Sequence, residues 1–282
     1  MIIFKKADDI SNYLLRIAPE NRIGFVPTMG ALHEGHLSLV RKAKENASMC
    51  ICSIFVNPTQ FNDKNDFNKY PSTIEQDISL LIKENCDVLF LPSIYEMYPN
   101  GTETNNKFDF GHLNSILEAA YRNGHFNGVA QVVSRLLQIV QPHHLYLGQK
   151  DFQQCMIIKK LLEFDGLQKK VQLNICPTLR EQDGLAMSSR NQRLNEGQRK
   201  LAGLIYQCLV SIASKNGIDP FEKVKNECFD LLSEKGFETD YVAIANANNL
   251  TLLKDYDINT PMVALIAAKI GEIRLIDNLL LN

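Results

Sequence analysis

His33 and His36 stand three residues apart around a glycine, in the stretch PTMGALHEGH at residues 27–36. On a helix, positions three apart share a face, so the two imidazoles would be presented together. Gly35 between them removes a side chain where a ligand must approach closely, and Gly30 permits a tight turn with positive φ. A helix is expected to begin at residues 32–34, and the N–H groups and dipole of a helix start favour an anion such as phosphate. The same pair also reads as histidines on a solvated helix, or as two of three zinc ligands. Three further stretches carry related chemistry. In GQKDFQQ (148–154), Lys150 and Asp151 follow a glycine, and in DGLAMSSRN (183–191) two hydroxyls, Ser188 and Ser189, adjoin Arg190 and can bond phosphate oxygens. NPTQF (57–61) offers the Gln60 amide, a donor and acceptor at once. Each alone is ordinary turn composition.

These stretches need strands to position them. Short runs rich in Ile, Val, Phe and Leu occur at 23–26, 50–56, 87–91, 144–147 and 171–176. They do not alternate strictly, as expected of strands covered on both faces. Helical patterns at 36–47, 73–84, 128–140 and 152–164 fall between them. Strand–helix alternation predicts an α/β, doubly wound parallel sheet, in which ligands bind beyond the carboxyl ends of the strands. The polar stretches follow successive strands, which is where such a fold places its site. On a helix continuing through 150–154, Lys150 and Gln154 would share a face. After residue 177 the pattern changes to helices at 196–215 and 220–235 and short apolar runs at 241–244, 263–267 and 273–276. We therefore expect two domains, 1–177 and a smaller α+β domain at 178–282.

The chain has 282 residues, ample for one large domain or two unequal ones at about 100–200 residues each. Thirty Lys and Arg against 32 Asp and Glu leave a net charge of −2, and the pI is near 6.3. Nucleic-acid backbone is a poor match to that balance, because domains that bind it carry a basic excess. The longest purely apolar run is Met262 to Ala268, far short of the roughly 20 residues of a membrane span, and the start lacks a signal-peptide core. Seven cysteines, an odd number with no C-x-x-C pair, read as reduced thiols of a cytoplasmic protein.

PTMGALHEGH, FVNPTQF, GHFNGVAQVV, GQKDFQQ and DGLAMSSRN, with RLIDN near the end, occur in the order and spacing of one family. From residue 23 onward the chain resembles the pantothenate synthetases, or pantoate–β-alanine ligases. Its H-x-G-H and M-S-S-R elements are also similar to the HIGH and KMSKS-type signatures of nucleotidyltransferases. The resemblance implies a Rossmann-like sheet of the nucleotidyltransferase type, a smaller C-terminal domain able to close over the site, and a homodimer. It implies that ATP, (R)-pantoate and β-alanine give pantothenate, AMP and pyrophosphate through a pantoyl-adenylate, with Mg²⁺. Matching positions assign ATP to Met29, Gly30, Ala31, Leu32, His33, Glu34, Gly35 and His36. They add Gly148, Gln149, Lys150, Asp151, Leu179, Met187, Ser188, Ser189 and Arg190. His36 aligns with the family's proton donor, and His33 and Lys150 join it as candidate catalytic groups. Gln60 aligns with a residue meeting both pantoate and β-alanine, Gln154 with one meeting pantoate, and Asp77 with a magnesium contact. Tyr70 and Arg122 align with positions near the family's site or its mobile flap.

Two positions depart from the family pattern: Ser72 replaces a basic residue in Y-P-R-T, and Asn123 replaces a proline in R-P-G-H-F. Rival readings are a nucleotidyltransferase acting on a phosphate-bearing substrate, an aminoacyl-tRNA synthetase, a zinc hydrolase and a binding module without activity. No second basic cluster surrounds Gln60, there is no added tRNA-binding domain, and Glu34 does not fall in an H-E-x-x-H frame.

Overall fold

The computed structural model describes residues 1–17, 22–62, 64–102 and 108–281. The chain divides into two compact units, Met1–Gly148 with Ile157–Cys176, and Gln149–Met156 with Pro177–Asn282.

In the first unit the described residues form six strands: β1 (Ile2–Phe4), β2 (Ile23–Thr28), β3 (Met49–Ile54), β4 (Val88–Phe90), β5 (His144–Gly148) and β6 (Gln172–Cys176). They make one sheet in the order β1-β4-β3-β2-β5-β6, parallel throughout. Successive side chains of a strand point to opposite faces. Val26, Cys52, Leu89 and Tyr146 therefore build one apolar layer, closed by Leu39, Val40 and Ala43 of the helix Glu34–Asn46 and by Leu81 of the helix Ile74–Lys83. Phe25, Ile51, Val88 and Leu145, in register across four strands, form the opposite layer and are fully buried. Burial on both faces explains why the strands read as continuous apolar runs, and it makes the sheet the doubly wound type expected. Chain order reverses between the neighbours β2 and β5, so Thr28 and Gly148 end their strands at the topological switch point where such sheets bind ligands.

The second unit holds an antiparallel sheet of β7 (Phe237–Asn246), β8 (Leu252–Leu253), β9 (Met262–Ile270) and β10 (Ile273–Leu281), in the order β10-β9-β7-β8. Ile205, Leu209 and Ile212 of the helix Leu204–Ser214 and Val224, Cys228 and Leu232 of the helix Phe221–Glu234 pack on it. This is the small α+β element expected from the sequence, with longer strands. The expected helix at 196–215 is two helices, Glu196–Ala202 and Leu204–Ser214. The break falls at Gly203, where a Cβ would lie 2.9 Å from the Asp183 carbonyl oxygen. β1 and the helix Ala7–Ile17 were not foreseen; β1 has only three residues, two of them exposed.

One helix contact is unusually close. The helix His125–Val140 crosses the short turn Pro58–Gln60 at Gly128, where a Cβ would run into the Thr59 carbonyl and stand 2.7 Å from the Gln60 nitrogen. Backbone cannot yield as a side-chain tip does, so only glycine fits. Gly128→Ala should destabilise the protein by about 1–3 kcal/mol, the cost of overpacking. Urea denaturation measures it, and an unchanged midpoint would refute the contact.

Candidate active site

The turn after β2 is built from backbone. Gly30 (φ 81°) and Ala31 (φ 48°) lie in the left-handed region, so the chain reverses sharply and turns consecutive N–H groups inward. The Thr28 hydroxyl accepts from Gly30 N–H at 3.2 Å and donates to the Ser53 carbonyl at 2.8 Å. The next two N–H groups, of Ala31 and Leu32, donate to the two oxygens of Asp77 at 2.9 and 2.8 Å. Asp77 is 1% exposed and also accepts from the Thr73 hydroxyl at 3.1 Å.

The helix then starts at Glu34 with His33 as its N-cap. His33 Nδ1 accepts from Gly35 N–H at 3.2 Å, and His36 Nδ1 accepts from His33 N–H at 3.4 Å. The expected shared face is real, with ring centroids 4.0 Å apart. Capping adds something the spacing did not show. A neutral imidazole that accepts at Nδ1 carries its proton on Nε2, so both rings are set as Nε2–H donors. Glu34 turns to the outer surface of the helix, where Arg41 pairs with it and with Glu84; that guanidinium holds Glu84 below the usual carboxylate range.

Gln60 sits against this turn. Its Nε2 donates to Met29 Sδ at 2.9 Å, and its Oε1 accepts from Asn57 Nδ2 at 3.1 Å. Asn57, 1% exposed, is the hub: its Nδ2 also donates to the Gly128 carbonyl, and its Oδ1 accepts from the Tyr98 hydroxyl at 2.8 Å. Burial pushes the Tyr98 phenol up, which keeps it a donor. From the other side, the buried His125 ring donates from Nδ1 to the Gln60 carbonyl at 2.7 Å. Sequence reasoning missed Asn57, Tyr98, His125 and Gly128. A glycine inside a helix costs about 1 kcal/mol and so asks for a packing reason, which was the available signal.

Tyr70 packs edge-on against Phe61 at 5.8 Å, one residue from Gln60, and Arg122 is half-buried just ahead of the helix His125–Val140. Ser72 is exposed; Asn123 is exposed too, and its carbonyl accepts from Asn62.

In the second unit, Gln149–Asp151 is a 3₁₀ turn and the α-helix begins only at Phe152. Lys150 and Gln154 therefore do not lie on one continuous α-helix, the condition under which the four-residue spacing was expected to place them on one face. Lys150 Nζ lies 3.4 Å from Asp151 Oδ1. Gln153 is buried while Gln154 is half-exposed, so Gln154 is the one a ligand can reach. Residues 179–187 form a hairpin: Met187 N–H donates to the Leu179 carbonyl at 3.0 Å and Arg180 bridges Ala186, which sets Leu179 beside Met187. Ser188 then caps the 3₁₀ turn Ser189–Arg193 by accepting from Arg190 N–H at 3.3 Å, with Ser189 buried.

Comparison with known proteins agrees with this architecture. The family model described as pantoate-beta-alanine ligase matches residues 2–280. A pantothenate synthetase of Azobacteroides pseudotrichonymphae is 44% identical, with 99% of each chain covered. One of Cytophaga hutchinsonii is 43% identical over 96% of this chain and 97% of its own. Among solved structures, pantothenate synthetase from Thermus thermophilus superposes with a TM-score of 0.91 at 37% identity, covering 99% of both chains. The Francisella tularensis pantoate-beta-alanine ligase, described as complexed with beta-gamma ATP and beta-alanine, gives a TM-score of 0.84 at 37% identity, covering 99% of this chain and 97% of its own. From residue 2 to residue 280, this chain belongs to the pantoate–β-alanine ligase family.

Proposed function

We propose that the protein joins (R)-pantoate to β-alanine at the expense of ATP, through a pantoyl-adenylate. The observation that carries this reading is the contact of Gln60 with Met29. It sets the glutamine aligned with substrate against the turn aligned with nucleotide, inside one unit.

In the first step a pantoate carboxylate oxygen attacks the α-phosphorus of ATP and pyrophosphate leaves. The carboxylate is already ionised, so this step needs alignment and charge neutralisation rather than a base. The braced turn at 29–32 fixes the start of the helix that presents the two histidines. His33 and His36 supply Nε2–H donors, of which His36 is set to give a hydrogen bond to phosphate oxygen. In the second unit, Lys150, Ser188, Ser189 and Arg190 are cationic or hydroxyl groups suited to phosphate oxygens, and Leu179 and Met187 are apolar neighbours for a nucleotide. In the second step the β-alanine nitrogen attacks the acyl carbon, the C–N bond forms, the C–O bond to AMP breaks and the amine loses a proton. The tautomer set by the cap makes His36 a donor, so the leaving phosphate oxygen is the better acceptor for that proton.

Gln60 is directed by its neighbours. With Oε1 held by Asn57, its NH₂ is what it offers, suited to the carboxylate and hydroxyl oxygens of pantoate and to the carboxylate of β-alanine. Asp77 does not fit the metal role suggested by alignment: it is buried and its oxygens are committed to Ala31, Leu32 and Thr73. Among the described residues no group of three or more His, Cys, Asp or Glu could hold an ion. We therefore assign Mg²⁺ to the triphosphate, entering with ATP, since that ion is commonly held largely by phosphates and water. No helix of the described residues is long and apolar enough to cross a membrane. The cytoplasmic reading is supported by seven cysteines without a disulfide, and the homodimer by the family resemblance.

Adenylation should be separable from amide formation. Pantoate alone should drive exchange of labelled pyrophosphate into ATP, and exchange that required β-alanine would exclude the adenylate route. In that assay Lys150→Ala and His36→Ala should each slow adenylate formation by about 10²–10³-fold, the usual worth of one preorganised donor. A near-normal rate in either would remove that residue from the role. Gln154→Ala should weaken pantoate capture by about 1–3 kcal/mol with little change toward ATP, and Gln60→Ala should impair use of both pantoate and β-alanine. Steady-state kinetics with each substrate varied decides it; an unchanged pantoate KM in Gln154→Ala would sink that assignment.

A further inference from the structure

The motif Arg274-Leu-Ile-Asp-Asn278 has no role in the chemistry above, yet two of its residues are among the few buried polar side chains described in the second unit. Asp277 is 5% exposed and Asn278 is 1% exposed. They are neighbours on β10, so their side chains leave opposite faces of the sheet. Asp277 shares its face with the core residues Ile273, Leu275 and Leu281, an expensive place for a carboxylate.

Each is fully engaged, and each with a different loop. Asn278 donates both N–H groups of its amide to consecutive backbone carbonyls, those of Gln149 and Lys150, at 2.9 Å each. Its Oδ1 accepts from Gln149 Nε2 at 3.1 Å. That pattern holds the peptide planes of the 3₁₀ turn from which Lys150 projects. Asp277 binds Arg180 in a fork, at 2.5 and 3.1 Å. Arg180 also donates to the carbonyls of Gly184 and Asn278 at 3.0 and 3.1 Å, and lies 4.0 Å over the Tyr206 ring. It thus fastens both the base and the tip of the hairpin that leads into Ser188–Arg190.

We propose that Asp277 and Asn278 are positioning residues that index two separate phosphate-binding loops to one strand: Asn278 sets Lys150, and Asp277, through Arg180, sets Ser188 to Arg190. A purely stabilising pair would need only to fill space and satisfy itself. This pair instead reaches both loops: Asn278 bonds the backbone from which Lys150 projects, and Asp277 orients Arg180, whose guanidinium holds the Gly184 carbonyl of the hairpin that leads into Ser188. The proposal rests on the assignment of Lys150 and the Ser188–Arg190 stretch to ATP.

The test is a double-mutant cycle on single-turnover adenylation at saturating pantoate, using Asn278→Asp, Lys150→Ala and the pair. Asn278→Asp keeps size and Oδ1 but aims an oxygen at two carbonyls. It should slow adenylation by about 10–100-fold, as displacements near 1 Å do, leaving the pantoate KM unaltered, and the double variant should be no slower than Lys150→Ala alone. Asp277→Asn, assayed in the same way, should also slow adenylation without changing the pantoate KM. Rates are normalised to folded protein by near-ultraviolet circular dichroism. Normal adenylation in folded Asn278→Asp, or multiplicative effects in the double variant, would overturn the proposal. So would failure of both the Asp277 and Asn278 variants to fold, which would assign the pair to stability. If Lys150→Ala itself adenylates normally, the underlying ATP assignment fails instead, a result distinct from the others.

Discussion

Much of the first unit depends on one bidentate interaction, the Asp77 carboxylate holding the N–H groups of Ala31 and Leu32. A chain that reverses through the left-handed region buries amide protons that no helix or strand can satisfy, and each unsatisfied one would cost about 1–3 kcal/mol. The carboxylate satisfies two at once and fixes the turn where β2 ends. The orientation of the two histidines follows, because the helix they cap starts from that turn. The position of Met29 follows as well, and with it the surface that Gln60 meets. The helix Ile74–Lys83 carries Asp77 and also contributes Leu81 to the layer packed on the sheet, so sheet packing and turn geometry are set by the same element.

The arrangement recurs once in full at Asn278, a buried side chain distant in sequence that holds the backbone of the turn at Lys150. Asn57 is a local variant: from within the same loop it holds the Gln60 side chain and ties it to the Gly128 carbonyl and the Tyr98 hydroxyl. Preorganised donors are effective because they need not reorganise as charge develops. Buried amides and carboxylates supply that rigidity only when every hydrogen bond is made, which is the state found at Asp77 and Asn278.

Local sequence carried β2 to β6, the long strands of the antiparallel sheet and the loops bearing polar chemistry, because period, turn residues and motif order are short-range features. The supports were not legible. Ala31 lies 46 residues from Asp77, and Lys150 lies 128 from Asn278. No period or turn rule links such pairs. The reading of Asp77 as a metal contact came from alignment, which matches a position without showing what its oxygens face. The continuous α-helix assumed for Lys150 and Gln154 is instead a 3₁₀ turn followed by an α-helix, a local change that the spacing alone did not reveal. His33 and His36 were found by spacing, whereas their tautomer needed the cap.

The central claim is that Asp77 holds the turn from which the groups we assign to ATP are presented. Asp77→Asn tests it most directly, because the substitution keeps volume while turning one acceptor into a donor aimed at an N–H. Amide hydrogen exchange should be measured by NMR in the wild type and the variant, beside single-turnover adenylate formation. The account predicts that Ala31 and Leu32 exchange at least about tenfold faster, the kinetic equivalent of 1.4 kcal/mol, that amides of β3 keep their protection, and that adenylation slows. Unchanged protection at Ala31 and Leu32 with normal adenylation would contradict it.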